Sequence, residues 1–302
     1  MSLPDINKLN PAKVFDRDTI LHLRIPFSFF LLPVFLFAIS QASNIHAINT
    51  VIVFIALHFF IYPGSNVYNS YMDKDTGSIG GLEKPPPVTD KLYFASIWVD
   101  VVGILICLLA GWLLTLIMMG YIGFSKAYSW HGIRIKKYPW IGWCSVMFFQ
   151  GGYTFMLGHM TATGIIGREW FTAKNIICMV ISSLFIGGYY PLTQIYQHEE
   201  DSKRGDITVS YQLGITGSFV FATVLFLTAA LMCNYYFNTY HNTFHFVLFI
   251  VSQIPTVCFF TYWFTQCFKN KSYANYRNSK MMTLISSVCM NVLFALLTFT
   301  SR

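Results

Sequence analysis

Two stretches of this chain carry residue types that hold hard metal ions, and they carry them at one spacing. Asn66, Asn69 and Asp73 stand at i, i+3 and i+7, with Asp75 nearby. Gln194, Gln197 and Asp201 repeat that spacing, with Glu199 and Glu200 nearby. On a helix these positions share one face. The stretches align without a gap over sixteen residues, 62–77 against 190–205, with Tyr, Pro, Tyr, Asp and Gly identical. Two such faces ending in acids are what a protein offers to divalent cations that hold an anionic ligand between them. Oxygen donors of this kind suit Mg²⁺, which keeps several waters and takes one or two carboxylates plus substrate phosphates. A transition metal would want clustered histidines, and here they are scattered. Lys74 and Lys84 flank the first acids, Lys203 and Arg204 the second, and Arg134, Lys136 and Lys137 lie on a further basic loop. Acids for metal with cations beside them make a diphosphate clamp.

The elements that position these residues are apolar. Mean hydropathy is +0.51, and 11% of residues are charged, against about a quarter in soluble domains. That composition is of the membrane class. Apolar runs near bilayer length, roughly 17 to 25 residues, are expected at 25–40, 48–62, 140–160, 176–190, 218–233, 244–264 and 281–299. Two more share 94–124, divided near Gly111 and Trp112. The reading is an all-α integral membrane protein with nine transmembrane helices in a single domain, 1–302. No cleavable signal peptide is expected, because segment 1–24 holds Asp5, Lys8, Lys13, Asp16, Arg17, Asp18 and Arg24 and lacks an apolar core.

Charge orients the bundle. With segment 1–24 cytoplasmic, it and the loops after the second, fourth, sixth and eighth runs hold every Lys and Arg except Arg168, Lys174 and Arg302. Both acidic motifs then face the cytoplasm, and the C-terminus lies outside. Four spans separate the two motifs, so the repeat is parallel: a duplicated four-helix unit plus one extra helix. Pro63 and Pro191 are expected to bend both motif helices. The basic residues sit in loops and form no separate domain, which excludes a nucleic-acid-binding module. The seven cysteines, none in a CxxC pair, read as small packing residues rather than metal ligands or disulfides. The aromatic content of 18% suits a bundle that shelters a hydrocarbon tail and stabilises a cation.

On these motifs the chain resembles the UbiA superfamily of intramembrane prenyltransferases, which has nine helices and aspartate-rich motifs after the second and sixth. The family's NxxxD is matched by Asn69-Ser-Tyr-Met-Asp73, its basic-Pro step by Lys84-Pro85, and its DxxxD by Gln197-His-Glu-Glu-Asp201 followed by Gly205. Arg24-Ile-Pro-Phe and Tyr128-Ser129 also look like family positions, so the likeness covers nearly the whole chain. The sequence departs from the family at Gly77, where many members have a third Asp, and at Gln197, whose neutral amide lends a metal no charge; Glu200 can supply it. The resemblance implies an Mg²⁺-dependent enzyme that ionises a prenyl diphosphate to an allylic cation, which a lipophilic acceptor attacks in a water-poor cavity. It implies Asp73 and Asp201 as metal ligands and Asn69 and Gln197 as holders of metal-bound water. Asp75 and Glu200 complete the metal set, and Lys84, Arg134, Lys136, Lys203 and Arg204 grip phosphate.

Other readings stand beside this one. Polar helix ends meet headgroups, and basic loops set topology without binding phosphate. Tyr68 and Tyr196 are repeat positions that also suit interfacial anchoring. Asp100, in the third run, either takes a proton from the acceptor or is a buried acid satisfied by a neighbouring Tyr or Trp. His58, His159 and His245 read as packing or hydrogen-bonding residues. In place of an enzyme, the repeated bundle could be a transporter or a non-catalytic prenyl-lipid-binding protein with a degenerate metal site.

Overall fold

A computed structural model of the protein describes residues 14–74, 76–203 and 205–300. Apart from one isolated bridge between Ile79 and Leu82, every regular element among them is helical. In chain order these are α1 (Arg17–Leu23), α2 (Leu32–Ser40), α3 (Ala47–Asp73), α4 (Lys91–Leu108), α5 (Trp112–Ser129), α6 (139–163), α7 (Ala173–Gln194), α8 (His198–Lys203), α9 (Val209–Tyr240), α10 (Thr243–Lys269) and α11 (Tyr276–Thr300). Short 3-10 turns include Ile25–Phe30, ahead of α2. Gly111, at φ 130°, divides α4 from α5, at the split expected from the sequence.

Among the described residues, six helices are long and apolar enough to cross a bilayer: α3, α4, α7, α9, α10 and α11. Arg17–Phe30 together with Leu32–Ser40 makes a seventh if that bent pair is one span. The protein is a multi-pass integral membrane protein. On α9, Val220, Val224, Leu227 and Leu231 recur at helical spacing and are all more than half exposed, a stripe that only a hydrocarbon surround satisfies. The cysteines are free; four are buried, but Cys144 and Cys258 stand on the outer surface.

The chain divides into two compact units. The first holds α1, α3, α4 and α5. Here α3 packs along α4, and α5 packs on both. Tyr68, Tyr71, Leu92, Phe94 and Val99 form its core with Val14 and Leu23. Asp16 caps α1 by accepting from the Thr19 N–H at 2.9 Å. It also accepts a hydrogen bond from Lys91 at the start of α4. The lysine, and then the cap, lower the Asp16 carboxyl to about 2.

The second unit holds α2 and α6 to α11. Leu192, Ile195, Phe219, Ala222 and Trp263 belong to one core cluster in it. Two helices carry π-helical turns, Ala56–Ile61 in α3 and Met147–Tyr153 in α6. In α3 the wider turn runs directly into Tyr62-Pro63, so the residue without an N–H enters where the bonding pattern is already offset. Pro191 lies inside α7 and leaves the carbonyl of Gly187 without its helical donor. The indole of Trp143 donates to that carbonyl at 2.9 Å. A further buried bond runs from the Tyr236 hydroxyl to Gln41 Oε1 at 2.7 Å. Tyr236→Phe strands that acceptor in the interior. It is expected to destabilise the protein by about 1–3 kcal/mol, read as a lower melting midpoint in detergent.

Candidate functional site

The last turns of α3 present the first motif as the spacing predicts. Val67, Tyr68, Ser70, Tyr71 and Met72 are buried, while Asn66, Asn69 and Asp73 are partly exposed along one stripe. The Asn69 amide donates to Asp73 Oδ2 at 2.9 Å and to Ser129 Oγ, at the end of α5, also at 2.9 Å. Both N–H bonds of that amide are thereby engaged, which turns its carbonyl oxygen away from these partners as the atom left to meet a cation. Asp73 is the final residue of α3, where a carboxylate faces the negative end of the helix dipole. A nearby cation relieves that repulsion, so the donor set fits a hard divalent ion.

Arg24 secures this end of α3. It adopts a left-handed backbone at φ 49° and is 8% exposed. Its guanidinium donates to the carbonyl of Asn66 at 2.8 Å and to that of Gly80 at 3.0 Å. One buried cation therefore ties the motif helix to the loop that leads to Lys84. Lys74 and Lys84 are exposed. Arg134 follows α5 in a left-handed turn at φ 48°, with its N–H on the Trp130 carbonyl at 2.6 Å. Asp75 and Arg204, and the side chain of Lys203, lie outside the described residues.

The second motif departs from the expected form. The sequence puts Gln194, Gln197 and Asp201 on one face of one helix, but α7 ends at Gln194. Residues 195–197 make a tight turn, closed by the Gln197 N–H on the Gln194 carbonyl at 2.9 Å, and α8 then begins at His198. The physical reason is the acids. Continued helix would set Glu199, Glu200 and Asp201 at the negative end of α7, whereas the break puts all three in the first turn of α8, where unsatisfied N–H groups favour them. Gln194 is buried, with its Oε1 lacking a hydrogen-bond donor among the described residues; Gln197 and Glu200 are partly exposed and Asp201 is 7% exposed.

Sequence reasoning missed three side chains near these motifs. Asp206 is 4% exposed; Gly205 turns the chain at φ 73° so that the Asp206 N–H reaches the Asp201 carbonyl at 2.9 Å. Asp206 Oδ2 lies 3.8 Å from Lys136 Nζ, so a lysine expected to grip phosphate is held beside the second motif by a carboxylate. Within that motif, His198 Nε2 meets Ser210 Oγ at 2.7 Å, and Ser210 meets Ser218 at 3.1 Å. The third is Lys126. Counted by charge with the loop after the fourth run, it lies within α5, and its Nζ is 2.7 Å from Asp100 Oδ2. The intramembrane acid is thus satisfied by a lysine, not by Tyr or Trp. Its Oδ1 is sealed from solvent and accepts no hydrogen bond among the described residues. Tyr68 is 7% exposed and carries Lys126 Nζ 4.1 Å above its ring centre, a packing role rather than an interfacial one. Tyr196 meets the ring of Tyr276 edge-on at 5.5 Å, and His159 accepts from the Trp170 indole at 2.9 Å.

Among the described residues no three His, Cys, Asp or Glu side chains converge as a metal cage. One carboxylate with an amide beside it is the donor pattern of an ion whose remaining ligands are water and phosphate.

Comparison with known proteins gives a family. The model of the UbiA prenyltransferase family matches residues 30–288. Among solved structures, a UbiA homologue from Archaeoglobus fulgidus bound to GPP and Mg²⁺ superposes with a TM-score of 0.67 at 15% identity, covering 93% of this chain and 99% of that one. The same homologue bound to DMAPP and Mg²⁺ gives 0.65 at 14% identity, covering 94% and 99%. A structure of a digeranylgeranylglyceryl phosphate synthase gives 0.59 at 19% identity, covering 94% and 97%. At these identities the likeness is one of fold. No curated protein matches the chain.

Proposed function

The chain belongs to the UbiA prenyltransferase family, and on that premise we propose that it moves a prenyl group from a prenyl diphosphate to an aromatic or other lipophilic acceptor, with Mg²⁺. The observation that carries this reading is the constellation at the end of α3. Asn69 is fixed by Asp73 and Ser129, and Asn69 and Asp73 share a partly exposed stripe at the end of the helix. A. fulgidus homologue structures with GPP or DMAPP and Mg²⁺ support the choice of donor and ion.

In this mechanism Asn69 and Asp73 would hold the ion at the first motif, with Asp75 a further ligand on the reading of the sequence. Gln197, Glu200 and Asp201 do so at the second. Bound Mg²⁺ supplies neutralisation of the diphosphate as the C1–O bond breaks. Lys84, Arg134, Lys136, Lys203 and Arg204 add charge-assisted hydrogen bonds to the leaving diphosphate. For Lys136 this means exchanging Asp206 for phosphate. Apolar and aromatic side chains keep water from the allylic cation until the acceptor attacks. Asp100 is not the base in this reading, because its free oxygen is walled in. We further assign nine crossings, α5 and α6 included, in a parallel four-helix repeat plus one. The N-terminus and both motifs are cytoplasmic and the C-terminus is outside. The family match runs through both compact units, which supports one catalytic domain.

The test is equilibrium binding of a labelled prenyl diphosphate to the detergent-purified protein, with Mg²⁺ and then with EDTA. Binding that EDTA abolishes is expected. No Mg²⁺-dependent binding across several chain lengths would overturn the clamp and favour a non-catalytic lipid carrier.

A further inference from the structure

A buried ion pair sits directly behind the first motif. Asp100 on α4 is 6% exposed and meets Lys126 of α5 at 2.7 Å. The pair presses on α3 at two points one helical turn apart. Asp100 Oδ1 occupies the space where a Cβ at residue 64 would stand, so a larger residue there would push the carboxylate aside. Lys126 Nζ caps the ring of Tyr68 at 4.1 Å. Tyr68 precedes Asn69, and Lys126 is three residues ahead of Ser129 on the same face of α5. Ser129 in turn receives the Asn69 amide at 2.9 Å.

We infer that Asp100 and Lys126 are positioning residues that set the register of α5 against α3, so that Ser129 reaches Asn69 and aims its carbonyl oxygen at the cation. The inference rests on the Mg²⁺ role proposed for Asn69 and Asp73. Two charges are costly to desolvate within spanning helices, so a buried pair there is a candidate for a function. Here both partners are built in: the carboxylate has a glycine notch and the ammonium has an aromatic face.

The measurement is the Mg²⁺ concentration that half-saturates prenyl diphosphate binding, taken with the melting midpoint, on the full chain in detergent. Lys126→Gln is expected to raise the Mg²⁺ midpoint about tenfold, in the range seen when a group behind a metal ligand is lost. Adding Asp100→Asn, which leaves a neutral pair able to hydrogen-bond, is expected to recover most of it. Tyr68→Leu keeps both charges, so it remains informative if Lys126→Gln does not fold; a rise of about threefold is expected, consistent with loss of a partly desolvated cation–π contact. A lowered melting midpoint with the Mg²⁺ midpoint within about twofold of the parent would show a merely structural pair and overturn the inference. Asp73→Ala, measured alongside, separates the two levels. If it too leaves the Mg²⁺ dependence intact, the metal reading itself is what fails.

Discussion

Asp73→Ala is expected to abolish Mg²⁺-dependent binding of prenyl diphosphate at saturating metal and to lower turnover by at least ~100-fold, about 2.7 kcal/mol of transition-state stabilisation. The size follows from the site's composition. Asp73 is the carboxylate of the first motif among the described residues, and the amide of Asn69 is fixed partly by donating to it. Removing the acid deletes a metal ligand and frees the amide to rotate about its remaining bond to Ser129. The fold should survive, because Asp73 is the last, partly exposed residue of its helix and leaves no cavity. Asp201→Ala is expected to act in the same direction. It carries a structural cost as well, since Asp201 is buried in the first turn of α8. Circular dichroism and isothermal titration with Mg²⁺ on the same preparations check both halves. Full activity in a folded Asp73→Ala protein would remove the first motif from the mechanism.

Gly151→Ala is expected to be the most damaging single methyl in the second unit, destabilising by about 1–3 kcal/mol or preventing folding altogether. A Cβ at Gly151 would lie 2.6 Å from the Cα of Ser183 and 2.8 Å from the carbonyl of Ser182. Those neighbours are backbone, so no rotamer change relieves the collision. The close approach comes from the π-helical turn Met147–Tyr153, which brings α6 onto α7 through small residues, as membrane helices associate. It also lets the Gly152 N–H donate to Ser183 Oγ at 3.0 Å. Ser183→Ala removes only that bond and is expected to cost far less. Thermal unfolding of the two variants in one detergent checks the ranking; equal midpoints would mean that α6 and α7 separate readily.

The first motif was legible in the sequence because its chemistry is local. Asn66, Asn69 and Asp73 need only a helix to share a face, and apolar neighbours at Val67, Tyr68 and Met72 ensure that the other faces are buried. Membrane class and the break at Gly111 were equally local, since composition and a glycine's freedom at positive φ settle them. The break in the second motif was not legible, because helical spacing says nothing about where a helix stops. Three successive acids are better placed at the start of a helix than at the end of one, and the turn at 195–197 follows from that. Lys126 could not be paired with Asp100 from sequence, because α4 and α5 had to be packed before charges 26 residues apart in the chain could meet at 2.7 Å. The same holds for Lys136 with Asp206 and for Ser129 with Asn69. The sequence by itself determined which residues could bind a cation and an anion. Only the tertiary structure decided which of them are held in place and by what, because desolvated charges and amides take partners from whichever helix is packed against them.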